Sequence, residues 1–132
     1  MTDLTDFERA VINKLLDGNH QVLESLHQQL AVCRIVKRDA TGVGFYTYLD
    51  VSSYEGPRPT LNLKFGDVVA QIPGLEHGAG FLLYVEAGLL AMLEAYTFGE
   101  PWPDRIEDFK LHYVTGEERD WPSLAKLLGK SG

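Results

Sequence analysis

The 132-residue sequence predicts an α+β domain in which an N-terminal helical hairpin packs on a mostly antiparallel sheet of five or six strands. Two segments near the N-terminus carry apolar residues at the spacing of amphipathic helices. From residue 32 onward the apolar residues instead alternate with polar ones, which is the period of a strand. Two apolar runs then meet at Glu86-Ala87-Gly88, which is the pattern of a β-hairpin.

The first helix is predicted to begin at Thr5, which with Glu8 makes the sequence of a capping box. Its apolar face repeats at helical spacing and consists of Phe7, Val11, Ile12, Leu15 and Leu16. Gly18 is placed to end this helix, and Asn19 to cap a second helix over residues 20–31. Because the link is short, the two helices are predicted to form a helical hairpin.

Four strand segments are predicted before the β-hairpin, over residues 32–37, 43–51, 61–65 and 68–72. Between the last two segments, at Gly66-Asp67, the inward-facing apolar residues change from odd-numbered to even-numbered positions. The earlier set ends with Leu63 and Phe65, and the later set begins with Val68. One inserted residue has this effect, so the sequence predicts a β-bulge at Gly66-Asp67.

The central hairpin is predicted to pair residues 81–86 with residues 89–98 around a two-residue turn at Ala87-Gly88. The predicted register places these residues opposite each other: Phe81 and Glu94, Leu83 and Met92, Val85 and Leu90. Both faces of the hairpin are apolar, so both are expected to be covered. The helical hairpin covers one face. A second subunit or the C-terminal segment covers the other, and of these two we predict the homodimer.

The chain is long enough for one core, and a single domain over residues 1–132 is predicted. Trp102 lies between two prolines and is predicted to anchor a rigid corner, either into the core or into a partner. Three short elements are predicted after it: a helical turn over 104–109, a strand over 110–114 and a helix over 123–128, with Leu127 on its apolar side. The tail over residues 115–132 begins with a polar segment and is predicted to be mobile.

The charge balance limits the classes of partner. With 19 acidic against 12 basic residues the formal net charge is −7, which disfavours nucleic acid and suits a basic protein partner. The one cysteine, Cys33, lies in an apolar stretch and is predicted to be buried, so a reducing compartment fits best. The N-terminus has no secretory pattern, and the longest apolar stretch, 79–93, is too short to span a bilayer. A cytoplasmic protein without membrane contact is therefore predicted.

No catalytic or cofactor-binding sequence pattern is recognised, and neither a cofactor nor a metal site is predicted. His20, Glu24 and His27 share one helical face at a spacing that suits a two-histidine, one-carboxylate site. That face is also the polar side of the second helix. A solvated surface explains the three residues better, because a metal site also needs further groups that orient its ligands.

Glu94 is a candidate for chemistry because it lies within the apolar run from Leu89 to Phe98. The predicted register puts it on a face with Phe81 and Tyr96, and Tyr96 is a candidate for binding a ligand or a partner. A carboxylate in such surroundings needs an ion pair or exposure at a sheet edge. A catalytic carboxylate with a raised pKa is the third interpretation.

A second candidate is the cluster that Glu76, His77 and Glu100 are predicted to form where the chain enters and leaves the hairpin. The predicted register places His77 opposite Phe98. A histidine between carboxylates can act as an acid or a base. It can equally hold the strand ends together through hydrogen bonds, which is the interpretation that we favour.

Three segments carry a resemblance to a group of small bacterial proteins of unassigned function: Gly66-Asp67-Val68, residues 74–81 (GLEHGAGF) and residues 93–103 (LEAYTFGEPWP). The resemblance covers about the middle third of the chain and is most specific in the hairpin and its Trp102-Pro103 exit. Small acidic domains of this general kind sometimes serve as immunity proteins in bacterial toxin systems. That comparison is an analogy of size, acidity and fold.

Together these features predict a non-enzymatic domain that binds another protein and is immunity-like in character. The alternative is a small-ligand-binding protein or an enzyme that uses Glu94 or the cluster of Glu76, His77 and Glu100. A deep pocket around one of these carboxylates would favour the alternative, whereas a flat acidic or apolar surface would favour protein binding.

Overall fold

The structure, a computed structural model, describes residues 2–129. Its helices and strands are, in chain order, α1 (Asp6–Leu15), α2 (Gln21–Leu30), β1 (Arg34–Ala40), β2 (Gly44–Asp50), β3 (Leu63–Phe65), β4 (Val68–Gln71), β5 (Ala79–Glu86), β6 (Leu89–Thr97), β7 (Lys110–Tyr113) and α3 (Trp121–Leu128). The predicted α+β class is confirmed: α1 and α2 pack on a sheet in which every described strand pair is antiparallel. The sheet has seven strands rather than five or six, because even the three-residue β3 finds a partner in β5.

Local signals determine the two N-terminal helices. The capping box is formed as predicted: the Thr5 hydroxyl accepts from the Glu8 amide at 3.1 Å, and the Glu8 carboxylate accepts from the Thr5 amide at 2.8 Å. The predicted cap of α2 is wrong by one residue. His20 rather than Asn19 has the extended backbone of an N-cap, and its Nδ1 accepts from the Val22 amide at 3.0 Å.

The strands follow the order β1-β2-β6-β5-β4-β7, and β3 pairs with β5 beside β4. The predicted bulge at Gly66-Asp67 is confirmed by the change of register between the two strands that share β5. Phe65 pairs with Leu83, but Val69 pairs with Gly80, so one extra residue has been inserted. The inward residues on both sides of the bulge are buried: Leu63, Phe65, Val68, Ala70 and Ile72.

The predicted hairpin register is wrong beyond its first pairs. The turn lies at Ala87-Gly88, and Val85 opposes Leu90 as expected. Tyr84 then opposes Met92, so Ala91 is a bulge residue that shifts every later partner by one position. Beyond the bulge these residues face each other: Leu83 and Leu93, Leu82 and Glu94, Phe81 and Ala95.

The shifted register moves Glu94 to the opposite side of the sheet from Phe81. It is Leu93 and Ala95 that join Phe81 and Leu83 in the buried core, whereas Glu94 is half-buried on the other face with Met92 and Tyr96. The predicted pairing of His77 with Phe98 is also wrong, because His77 lies in a bend before β5 begins at Ala79.

All three helices pack on the same side of the sheet. Helix α1 contacts β4 and β5, α2 contacts β6, and α3 contacts β3. Leu124 and Leu128 of α3 are buried in the same core as the first two helices, whereas Leu127 is 53% exposed, contrary to the prediction. The C-terminal helix therefore does not cover the second face of the central hairpin.

Between Trp102 and β7 the chain is irregular, and the helical turn predicted over 104–109 is not formed. The segment before α3 is held by Arg119, whose guanidinium donates to Asp67 at 2.7 and 3.1 Å and to the Leu15 carbonyl at 2.6 Å. Mobility of the 115–132 tail remains a prediction, and residues 130–132 lie outside the described chain. Among residues 2–129 no helix is long and apolar enough to cross a membrane.

Candidate functional site

The surface of the sheet opposite the helices, here called the outer face, carries the most distinctive set of side chains. It consists of half-buried residues that point away from the core: Tyr46, Tyr48, Val69, Leu82, Tyr84, Met92, Glu94 and Tyr96. Outward residues of adjacent strands stand side by side, so these residues form rows across the sheet. Four of the eight are tyrosines, and Glu94 is the one charged residue among them.

The first row contains Tyr48, Met92 and Tyr84, on the strands β2, β6 and β5. A lysine stands at each end of this row. Lys37 of β1 places its Nζ 4.8 Å from the centre of the Tyr48 ring, and Lys64 of β3 places its Nζ 5.7 Å from the centre of the Tyr84 ring. Both ammonium groups are held at the rim by cation–π contacts, and the middle of the row is aromatic and apolar.

The second row places Glu94 at the centre of the outer face, between Tyr46 of β2 and Leu82 of β5. The third row contains Tyr96, whose ring lies over Gly80; a Cβ at Gly80 would lie 2.6 Å from its Cζ. Glycine at position 80 therefore leaves room for the Tyr96 ring to lie across the sheet. Phe98, 55% exposed, meets the Tyr96 ring edge-on at 5.7 Å and extends the aromatic surface.

Glu94 and Tyr84 are joined by a hydrogen bond. The Tyr84 hydroxyl donates to Glu94 Oε1 at 2.8 Å. Burial, and then this bond and the charge of Glu94, raise the pKa of Tyr84 to about 12. Burial and the same carboxylate also raise the pKa of Tyr96. At neutral pH both hydroxyls are therefore protonated, and that of Tyr84 is used as the donor to Glu94.

Two of the interpretations made for Glu94 do not fit this geometry. Within the described chain no lysine or arginine forms an ion pair with it. It also does not lie at a sheet edge, because β6 has neighbours on both sides. The sequence could have placed Glu94 on the outer face only through the bulge at Ala91, for which it carries no glycine or other local signal.

The structure brings Glu76, His77 and Glu100 together, but through hydrogen bonds to backbone amides. The Glu100 carboxylate accepts from the amides of Glu76 at 3.1 Å and His77 at 3.2 Å. The bond from the Glu76 amide, followed by the bond from the His77 amide, lowers the pKa of Glu100. His77 Nε2 lies 4.0 Å from Glu76 Oε2, and their side chains are 63% and 81% exposed. The carboxylate of Glu100 thus ties the loop before β5 to the exit of β6.

A groove of about 740 Å³ lies beside this cluster, at the end of the sheet where β4 pairs with β7. Its lining includes Val69, Glu76, His77, Phe98 and His112. The carboxylate and imidazole that a catalytic interpretation needs project into solvent, where water solvates them. These two side chains therefore do not form an enclosed site of the kind that usually holds a small ligand.

Trp102 is an anchor into the core. Its indole meets Phe45 edge-on at 5.2 Å and Phe7 at 6.2 Å, both on the helix side of the sheet. Its backbone amide donates to the Gly42 carbonyl at 2.9 Å. Trp102 thus packs against the core from the helix side, away from the outer face, and its contact with a partner remains a prediction.

Besides its part in the capping box, Glu8 has a second structural role, which the sequence did not predict. Its side chain is 1% exposed and accepts from Arg38 Nε at 2.8 Å, from Arg38 Nη2 at 2.6 Å and from the Thr47 hydroxyl at 2.6 Å. Burial alone would raise the pKa of Glu8, but the bonds from Arg38, Thr47 and the Thr5 amide outweigh it and lower this pKa. Every Glu8 oxygen is therefore occupied within the fold, so we assign it a structural role.

The predicted absence of a metal site concerned the histidines of α2 in particular. His20 caps the helix, and His27 Nε2 lies 2.8 Å from Asn13 Oδ1. No cluster of three or more histidine, cysteine, aspartate or glutamate side chains suited to a metal ion occurs in residues 2–129. Cys33 is buried as predicted, and burial raises the pKa of its thiol to about 11, so it stays protonated.

Comparison with known proteins adds no homologue to this geometry. No protein-family model matches the chain, and no similar protein was found among the curated proteins or the solved structures.

Proposed function

We propose that this chain is a non-enzymatic binding domain and that its outer face is the surface on which another protein docks. One observation carries the proposal: a broad aromatic surface at the centre of the sheet stays half-exposed, because all three helices pack on the opposite side. A contiguous exposed apolar surface on a small domain commonly marks an interaction site.

The composition of the outer face supports a protein as its occupant. Tyrosine and methionine are enriched at the cores of protein interfaces, and charged residues are depleted there. Here four tyrosines and Met92 surround Glu94, the one charged residue in the middle, and the lysines Lys37 and Lys64 stand at the rim. A tyrosine hydroxyl forms hydrogen bonds with water in the free domain and with the partner in the complex. The free domain therefore stays soluble although its outer face is aromatic.

The overall charge supports a basic partner. The formal net charge of −7 steers positively charged proteins toward the domain and repels acidic ones. An immunity-like role, in which the domain covers a basic effector protein, fits this charge and the resemblance to small bacterial proteins. It is the functional class that we propose.

The alternative, a small-ligand-binding protein or an enzyme, has weaker support. Such sites usually enclose most of their ligand. The side chains of Glu76 and His77 stand in the open, and Glu94 lies on a broad surface rather than in a deep cleft. These features match those expected for a protein-binding surface.

A second copy of the chain would compete for the same face, as the predicted homodimer requires. Two copies that each carry −7 repel one another, so we propose that the homodimer is weaker than the complex with a basic partner. Low salt then favours the basic partner, and high salt favours the second copy.

Differential capture tests this function. The wild-type chain and the variants Met92→Lys and Leu127→Lys are immobilised and exposed to native cell extract at low salt. Both variants add one positive charge, but Met92 lies on the outer face and Leu127 is 53% exposed on α3. We expect a basic protein that wild type and Leu127→Lys retain and Met92→Lys loses. Equal retention by all three chains, or no protein with this pattern, would contradict the proposal.

A further inference from the structure

We propose that Glu94 is the receptor for an arginine side chain that the protein partner inserts among the tyrosines of the outer face. This inference rests on the proposed function and adds the chemistry of the contact. It starts from a carboxylate at the centre of an aromatic surface, between Tyr46 and Leu82 in the second row.

One oxygen of this carboxylate is used within the domain, and the other is available. Tyr84 donates to Oε1 at 2.8 Å. Among the described residues Oε2 accepts no hydrogen bond, and none of their buried side-chain oxygen or nitrogen atoms is without a partner. Oε2 therefore reaches solvent, where a donor from another molecule can approach it.

The charge of Glu94 is not neutralised inside the described part of the domain. The rim cations Lys37 and Lys64 lie over the rings of Tyr48 and Tyr84, and the Lys37 ammonium also lies 3.5 Å from Asp39 Oδ2. When a partner covers the outer face, Glu94 loses water. A lone carboxylate in that setting is costly unless the partner supplies a cation.

An arginine satisfies this site better than a lysine. Its planar guanidinium donates to a carboxylate in a fixed fork and stacks on aromatic rings, and it is less strongly hydrated than an ammonium group. The rings of Tyr46, Tyr84 and Tyr96 lie around Glu94 on the same face. The Tyr84 hydrogen bond holds the carboxylate in place, so little side-chain entropy is lost on binding.

The test uses N-acetyl-L-arginine amide as the probe and N-acetyl-L-citrulline amide as its neutral, equally shaped control. Aromatic NMR spectra of the full chain are recorded at low salt, which disfavours self-association through this face. We expect saturable shifts of the Tyr46, Tyr84 and Tyr96 ring signals with the arginine probe and no saturable shift with citrulline.

Two variants assign the response to Glu94. Glu94→Gln retains an oxygen that can accept from Tyr84 and removes the charge, and should weaken binding of the probe about tenfold or more. Glu117→Gln, an exposed carboxylate on the loop before α3, removes the same charge and should leave the titration unchanged. The melting temperature of each variant establishes that it is folded.

Equal shifts with arginine and citrulline, or an unchanged titration in Glu94→Gln, would overturn the arginine site. That result leaves the docking function standing if Met92→Lys still loses the captured partner. The converse result is that the arginine probe shifts the tyrosine signals through Glu94 while Met92→Lys still retains the captured partner. That result would contradict the docking function and leave the cation site standing.

Discussion

Glu8 and Arg38 form a two-point ion pair, at 2.8 and 2.6 Å, that joins the first turn of α1 to the edge strand β1 across 30 positions of sequence. Thr47 of the adjacent strand completes the contact with its hydroxyl at 2.6 Å from Glu8. The pair ties α1 to β1 and β2 on the inner side of the sheet, opposite the outer face.

Replacing Glu8 by glutamine tests this contact. Glutamine also serves in a capping box, so Glu8→Gln retains the helix cap and removes the charge. We expect the free energy of unfolding in urea to fall by about 2 kcal/mol near neutral pH, since Arg38 remains partly solvated and the full cost of a broken buried pair is screened. The side chain of Arg38 is 36% exposed, which is why solvent can compensate it.

The pH dependence of stability should identify the same group. Because the pKa of folded Glu8 lies below the ordinary value of 4.5, its stabilisation is complete above that value and is lost as pH falls through the folded pKa. The stability difference between wild type and Glu8→Gln should therefore shrink steadily on acidification below about pH 4.5. A difference that stays constant down to the acid transition would show that Glu8 does not titrate as proposed.

The hairpin turn gives a prediction with a matched control. Gly88 has φ +77°, and a Cβ there would lie 1.8 Å from the Pro59 carbonyl oxygen. Gly74 has φ +96°, and a Cβ there would have no heavy atom within 4 Å, so Gly74 carries the backbone requirement alone. We expect Gly88→Val to cost about 3 kcal/mol and Gly74→Val about 1 kcal/mol. Equal losses in thermal denaturation would mean that the loop around Pro59 yields freely.

Local features of the fold could be predicted from the sequence, whereas features that depend on long-range strand pairing could not. The capping box at Thr5, the bulge at Gly66-Asp67 and the turn at Gly88 follow from local residue types, and all three are confirmed. The bulge at Ala91 carries no such signal, yet it decides on which face Glu94 lies. Since side chains alternate along a strand, one unseen residue reversed the environment predicted for the main candidate.

The long-range contacts that position the outer face could not be predicted from the sequence either. The partner of Glu8 lies 30 residues away in β1, and Gln29 of α2 binds both Gly88 and Leu90 in the hairpin, at 2.8 and 2.9 Å. Such pairings depend on the strand order, which the alternation of residues within each strand does not encode. Tyr48 alternates with the apolar residues of β2 in the sequence, but its row with Met92 and Tyr84 became evident only with the register.

Self-association should depend on salt in the sense opposite to partner binding. We expect sedimentation at micromolar concentration to show twice the chain mass in about 500 mM salt and mostly single chains in about 20 mM salt, because screening removes the repulsion between two chains of net charge −7. Met92→Lys should remain a single chain in both. A single chain for wild type under every condition would contradict the homodimer and leave the outer face to other partners.

The most direct test of the outer face is the affinity of the purified, captured partner, measured by titration calorimetry at fixed salt. We predict that Met92→Lys raises the dissociation constant by at least about 30-fold, as expected for a residue at the centre of an interface. Leu127→Lys, which adds the same charge on the helix side, should stay within about twofold of wild type, since it lies outside the contact. An unchanged affinity for Met92→Lys, or an equal loss in both variants, would contradict the claim that the outer face is the binding site.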